Sequence, residues 1–593
     1  MAELALGALG ITGLIDVCIR YGSKLVQFCR AARRAHKDLD DKLLQLDAIW
    51  TRTEAQLHVI KRVSKILNDE QRRVQDALLK RLSSTLQETL DKLESTLSQK
   101  ADAKPRPLKY AWNKALDDMI AGLEQWQRLY DPTWFLITLI SDRIIDTEVD
   151  DVRKTFLPAP STADKPAPAA RSLSTLSQLR RALYGSEKEV HVTLPSRDFD
   201  SSKTTPVPYT DGSIRTFLRT STSTTASEGT ARWMLVDSIV LDPPRHDLAA
   251  ARKDAEDLAR TLKAVDPETF GLLRCHGIVK EKSTQTGRLA AIHLVFRPPS
   301  CWVPPSTSIA PEKSSTSLPS LCTLREALLR SEREMSSGRH IPNQGQAPWR
   351  KTGACPPSLT ARLEIAQSLA SSVSFVHVCN LVHKNIRPES TVLFQSPEKG
   401  DEQGVTRDGP AWRHRVFLLG FDGFRREHYQ TLRVGDTSFE RNLYRHSSRQ
   451  GPIANENYVM QHDIYSLGVC LLEIGLWRSL VKYERSKDGE GGDENVELAQ
   501  PSELLGLDLE KLDMVTWPQK TRAVIKDTLL ALAREELPAA MGDRYTSVVV
   551  ACLTCLDEDS ADFANDGARD EDGLIVGVRF IESVLMKLGE IVL

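Results

Sequence analysis

NLVHKNIRPESTVLF, residues Asn380–Phe394, is the stretch on which the fold turns. A strongly apolar helical pattern (Leu363, Ile365, Ala366, Leu369, Ala370, Val373, Val376) runs into it from Leu359 to His377. A short apolar strand, Thr391–Phe394, leaves it. Between them His383-Lys384-Asn385-Ile386-Arg387-Pro388-Glu389-Ser390 forms a polar loop held between two apolar elements.

Working outward, VFLLGFDGFR (Val416–Arg425) reads as a strand and a turn. YVMQHDIYSLGVCLLEIGLW (Tyr458–Trp477) is a polar start followed by a buried helix, and Arg522–Leu532, Tyr545–Leu556 and Gly577–Leu588 are helical. Ser486–Glu494 is a charged loop. Upstream the composition is strand-like. Pro206–Ser221 has a turn at Asp211-Gly212 between extended runs, and Arg232–Asp242 alternates as a strand. Asp247–Val265 is a helix pattern, and Gly271–Glu281 and Arg288–Pro299 are two further strands. A Pro/Ser-rich insertion, Pro299–Pro319, precedes a helix in Leu321–Arg330.

At 593 residues the chain exceeds one ordinary domain. A net charge of −2 gives no reason to expect a nucleic-acid partner. The ten cysteines are scattered, and the one C-x-x-C, Cys552 and Cys555, lies in a helical run with no second pair, which predicts packing rather than zinc. No run approaches the roughly 18 apolar residues of a membrane span, and the start has no basic region of a secretory signal.

The loop at 383–390, Gly420-Phe421-Asp422 and Asp463–Trp477 together resemble the protein-kinase family over roughly Val207–Leu588. The third is the most specific, because Asp463 and Gly468 match D-x-W-S-x-G. The resemblance implies a bilobal fold, an Asp463 that caps its helix and holds the loop backbone, and a hinge at Val295 and Phe296. It also implies an apolar spine through His383 and Phe421.

Phosphoryl transfer needs a loop over the phosphates, a Lys held by a helix Glu, carboxylate and amide oxygens for magnesium, and a carboxylate base. Here Asn385 stands at the base position, and an amide has no proton-accepting charge at neutral pH. Ser390 stands at the magnesium-binding Asn position and Gly420 at the D-F-G Asp. Arg387 keeps positive charge where the family has Lys. The strand WMLVDSIVL has no Lys, which leaves Glu256, at the helix Glu position, without its partner. No G-x-G-x-x-G precedes that strand. A one-residue slip could bring Asp422 forward, but in a strand it would swap faces and remove Phe421 from its buried slot. The pattern is that of a pseudokinase.

The first 150 residues read as helices. Leu4–Ile19 is apolar around most of a helix, with Gly7, Gly10 and Gly13 on one face, which predicts close backbone approach. Two readings stand: a buried central helix, or one that leaves the bundle for a membrane. Leucines recur at three- and four-residue spacings from Asp38 to Ser98, with a break and N-cap at Asn68-Asp69-Glu70. Another helix runs through Trp126 and Tyr130 to a stop at Asp131-Pro132. Trp134–Ile140 then leads to a last stretch near Ile145. The start and LKYAWNKALDDMIAGLEQWQRLYDPTWFLITLI (Leu108–Ile140) resemble the HeLo and HeLo-like domains of fungal incompatibility and cell-death proteins. That resemblance implies a bundle whose amino-terminal segment disturbs membranes.

The expectation is therefore multi-domain: an all-α bundle over 1–152, a Pro/Ala-rich linker over 153–180, and an α+β bilobal kinase-like fold. Its small lobe spans 181–298 and its large lobe 299–593, with an insertion at 299–320. The expected function is a pseudokinase that regulates the bundle; an active Ser/Thr kinase and a non-enzymatic adaptor are the alternatives. No metal site is assigned, and ATP with magnesium is left open as a cofactor. Expected partners are proteins through both domains, membrane lipid at the amino-terminal segment and a second copy through the bundle. The expected location is the cytoplasm, with a membrane surface on activation.

Overall fold

A computed structural model describes residues 10–33, 40–98, 105–140, 144–156, 168–184, 191–196, 199–200, 203–220, 231–241, 248–299, 302, 321–336, 356–395, 414–426, 434–454, 456–485, 497–563 and 574–591. The chain forms two compact units, Met1–Gly185 with Asp570–Glu582, and Ser186–Arg569 with Ser583–Leu593.

The first unit is helical: α1 (Ile11–Arg33), α2 (Asp40–Val63), α3 (Asp69–Ser98), α4 (Pro105–Ile140), α5 (Ile144–Phe156) and α6 (Pro168–Tyr184). The α2–α3 break is a reciprocal cap. Gln71 N donates to Asn68 Oδ1 at 2.8 Å and Asn68 N to Gln71 Oε1 at 3.1 Å, which satisfies two orphan donors. The leucine stripes meet in a core with Trp50, Leu78, Leu82, Leu123, Trp126 and Tyr130, all buried. Trp126 donates its indole N–H to Leu78 O at 2.8 Å.

Three expectations are corrected here. The helix does not stop at Asp131-Pro132; α4 runs through Pro132 to Ile140. Residues 130–139 are all buried, and the Asp131 carboxylate accepts Gln56 and Gln127 side-chain amides at 2.9 Å each, so packing overrides the lost backbone donor. The segment 153–180 is not a linker throughout. α5 continues to Phe156, and α6 buries Leu173, Leu176 and Leu179, with Arg180 NH1 donating to Thr138 O at 2.6 Å. Of the glycines expected at a close approach, Gly10 shows none, since a Cβ there would meet nothing within 4 Å; a close approach is found at Gly22, where a Cβ would fall 1.9 Å from the Trp50 ring. Gly7 lies outside the described residues.

The helix Leu574–Phe580, far along the chain, completes this unit. A Cβ on Gly577 would sit 3.2 Å from Leu136, and Arg73 reaches Glu582 through Nε at 2.9 Å and NH2 at 2.6 Å. Residues Ile581–Met586 continue it as a π-helix. Among the described residues no helix is long and apolar enough to cross a membrane.

The second unit is mixed α/β. Its larger sheet is antiparallel with strand order β1-β2-β3-β5-β4: β1 (Thr205–Pro206), β2 (Ile214–Thr220), β3 (Ala231–Val240), β4 (Cys275–Lys282) and β5 (Leu289–Phe296). Helix α7 (Leu248–Lys263) connects β3 to β4 and buries Ala255, Leu258 and Leu262. A second sheet, ordered β6-β8-β9, joins β6 (Leu321–Thr323), β8 (Thr391–Gln395) and β9 (His414–Leu418). Around it stand α8 (Leu324–Ser336), α9 (Leu359–Val378), α10 (Met460–Leu476), α11 (Gln519–Met541) and α12 (Asp543–Leu553), and the two-residue strand β7 (Leu381–Val382) follows α9.

Helix α10 is buried along nearly its whole length, which its unbroken apolar run requires. A Cβ on Gly468 would fall 2.7 Å from Cys552 Cβ, so the glycine lets α10 and α12 approach. Cys552 and Cys555 are both buried packing residues, Cys555 Sγ donating to Gln461 O at 3.2 Å. At the centre Arg325, fully buried, pairs with Glu389 at 2.8 Å and Glu473 at 2.7 Å. The Pro/Ser-rich insertion lies outside the described residues except Pro299 and Trp302, and the Ser486–Glu494 loop lies wholly outside.

Candidate functional site

The loop 383–390 is held from below by one carboxylate. Asp463, at the start of α10, accepts His383 N at 2.7 Å, Lys384 N at 2.9 Å and the Tyr458 hydroxyl at 2.6 Å. These anchors keep Lys384 at φ +66°, a conformation side chains resist. Burial alone would raise the Asp463 pKa, but the hydrogen bonds from His377 and Tyr458 and the nearby imidazoles outweigh it and hold it below the ordinary carboxylate value.

Above that anchor the rings form a column. His383 lies 4.8 Å from Phe421, and Phe421 lies 6.4 Å from Phe296. Burial pushes the His383 pKa down to about 4, so the imidazole is neutral near pH 7 and acts here as packing. Phe296 and Val295 close β5, pair with Leu235 and Val236 of β3, and are buried. Both proposed hinge residues thus belong to the sheet, with side chains in its core.

The polar positions are tied to one another. Asn385 donates to Gly420 O at 3.1 Å and Asp422 Oδ1 at 2.8 Å, and its Oδ1 accepts from Arg387 Nε at 2.8 Å. Ser390 Oγ accepts from Arg387 N at 3.1 Å and donates to Arg387 O at 2.9 Å, closing the loop on itself. Gly420 has φ +83°, and a Cβ there would lie 2.8 Å from Ser390 Cβ and 3.0 Å from Asn385 Nδ2. The space that an acid at 420 would need is filled.

Two statements made from sequence are corrected. Glu256 has a partner: Lys280 on β4, at 2.7 Å, with Arg252 at 3.0 Å. The cation simply comes from a different strand. Nor does the expected face swap around Asp422 arise. Phe421 and Asp422 lie in a turn, not a strand, so faces do not alternate, and Asp422 reaches Asn385 while Phe421 stays buried.

Sequence reasoning missed two residues. Asp237 on β3 is fully buried and accepts Gly420 N at 2.9 Å and Phe421 N at 2.7 Å through one oxygen. Burial pushes its pKa up to about 7, with the backbone hydrogen bonds and Asp422 as smaller influences. Its signal was visible: an acid in the otherwise apolar run MLVDSIVL. Trp302 is nearly buried and stands edge-on to Trp233 of β3 at 6.3 Å and Phe394 of β8 at 6.0 Å. It was hidden inside a stretch read only as Pro/Ser-rich.

No protein-family model matches the chain. Over 125 residues it is 27% identical to a protein of Saccharomyces cerevisiae described as probable serine/threonine-protein kinase FMP48, covering 21% of this chain and 32% of that relative. The chain thus spans about a third of the curated relative it matches. This similarity makes the chain kinase-like over that part.

Proposed function

We propose that the second unit is a pseudokinase: a kinase-like domain that binds and signals without transferring phosphate. The observation that carries this reading is Asp237. Where strand β3 faces the 420–422 turn, phosphate chemistry calls for a cation to steady the anionic groups. The buried residue there is a carboxylate, bonded to the backbone of the turn. Three local features count against a nucleotide with magnesium in this reading. Ser390 is consumed by its own loop, Gly420 has no room for an acid, and the Trp302 indole packs edge-on against Trp233 of β3 and Phe394 of β8.

The helical unit supports the rest of the reading. On its resemblance to HeLo-like bundles, we read it as the effector in incompatibility- or cell-death-type signalling, with the kinase-like unit as its regulator. An active Ser/Thr kinase is the second reading, and one observation favours it: Asp422 reaches Asn385 without displacing Phe421.

A thermal-shift titration of the full chain with ATP and magnesium separates the two. The pseudokinase reading expects no magnesium-dependent stabilisation. Clear stabilisation, with phosphate transfer lost in Asp422→Ala, would overturn it. Leakage of liposomes by the full chain on activation tests the effector role; none at any lipid composition counts against it.

A further inference from the structure

The turn between β1 and β2 places a carboxylate over two guanidinium groups. Asp211 Oδ2 lies 3.5 Å from Arg387 NH2 and 3.3 Å from Arg441 NH2. The turn is built for this position. Tyr209 and Asp211 both hold positive φ, at 64° and 51°, a region most side chains avoid. Buried Thr210 locks it, donating to Val207 O at 2.7 Å, and Arg215 Nε donates to Gly212 O at 2.8 Å.

The arginines are poorly matched by this acid. Arg387 is nearly buried and spends its Nε on Asn385 Oδ1 at 2.8 Å, leaving NH2 directed at Asp211. Arg441 faces Asp211, Asp422 at 3.9 Å and Asp436 at 3.7 Å. Charge-assisted bonds to a well-fitted anion run at about 2.7–2.9 Å, commonly two per guanidinium. None of these contacts is that short. Asp422 is already bonded to Asn385, and Asp436 accepts Ser438 N at 3.0 Å. Asp211 is the exception: its side chain is 61% exposed, so it can leave toward solvent.

The geometry points to a phosphate-monoester site at Arg387 and Arg441, held shut by Asp211, whose ligand is a phosphorylated side chain of a partner protein. The planar forks of two arginines match the oxygens of a phosphate better than one carboxylate oxygen does. A phosphate carried on a side chain approaches from the solvent side that Asp211 covers. It needs none of the magnesium positions. The assignment builds on the non-nucleotide reading of this site.

The test is calorimetric titration of the full chain at fixed ionic strength with four probes: a phosphoserine peptide, its unphosphorylated counterpart, inorganic phosphate, and ATP with magnesium. Asp211→Asn removes the charge and keeps a residue that tolerates positive φ. It should bind the phosphoserine peptide roughly fivefold tighter than the unaltered chain, the scale of one exposed ion pair. Adding Arg441→Gln to Asp211→Asn should abolish the gain, and the unphosphorylated peptide should not bind. Inorganic phosphate binding as well as the peptide keeps the anion site but assigns it to free phosphate. Equal affinities with and without Asp211→Asn, indifference to Arg441→Gln, or no phosphopeptide binding at millimolar concentration overturns the site. Magnesium-dependent ATP binding that ignores Arg441→Gln strikes the pseudokinase reading alone.

Discussion

The Asn385 side-chain amide donates to the Asp422 carboxylate at 2.8 Å. An amide can make that contact at any pH, whereas an ionised carboxylate, which only accepts, cannot. Asn385→Asp would set two carboxylates against each other and leave the Gly420 carbonyl facing an acceptor in place of a donor. The expected result is a loss of about 1–3 kcal/mol in stability at pH 8 and no gain of phosphate transfer. The loss should shrink as pH falls toward 5, because protonation of one carboxylate relieves the pair. Thermal denaturation across pH, with a phosphate-transfer assay, checks both parts.

Asp237 predicts a pH dependence of its own. Burial raises its pKa in the fold to about 7 from an ordinary value near 3.8. The folded chain therefore holds this proton more tightly than the unfolded one. The stability it contributes is fully present below about pH 4 and is lost as pH rises through about 7, at up to about 1.4 kcal/mol per unit. Asp237→Asn keeps an acceptor for the two backbone donors and removes the titration. Denaturant unfolding from pH 4 to 8 should give a flatter profile for this variant; an unchanged slope would refute the assignment.

Gly420 predicts that any side chain at this position is costly. Its positive φ and the 2.8 Å approach to Ser390 Cβ mean that Gly420→Ala should cost about 2 kcal/mol or more. Adding Ser390→Gly should recover the steric part and leave the conformational part. Chemical denaturation of the three chains measures the coupling.

The ion pairs differ sharply in what they should contribute. Arg325 is buried between Glu389 and Glu473, so Arg325→Leu strands two buried acids and should cost about 3–5 kcal/mol. Arg73, 59% exposed, pairs with Glu582 near solvent, and Arg73→Ala should cost less than about 1 kcal/mol. Urea unfolding of both variants settles the contrast.

Most elements were legible because hydrophobic period decides them. The order of three strands, helix and two strands before Phe296 follows from alternation, and the helix expected over Leu359–His377 is observed at Leu359–Val378. Pro132 misled because local rules stop a helix at proline, while the buried face of α4 continues it. The site was legible only as a set of substitutions. That Asn385, Ser390 and Gly420 fill one another's space depends on side chains brought together from distant segments. Asp237 facing the turn and Lys280 reaching Glu256 depend on strand register, which a linear reading did not supply.

The helix Leu574–Phe580 has a consequence for how the protein is made. Domains tend to fold as they emerge from the ribosome, at about 5–20 residues per second. Here α1 to α6 are synthesised first, yet the surface around Arg73 and Leu136 waits for a segment made several hundred residues later. At those rates the helical unit stays incomplete for roughly 20–80 s. A ribosome that stalls in the second unit would leave an uncapped bundle exposed to chaperones and proteases.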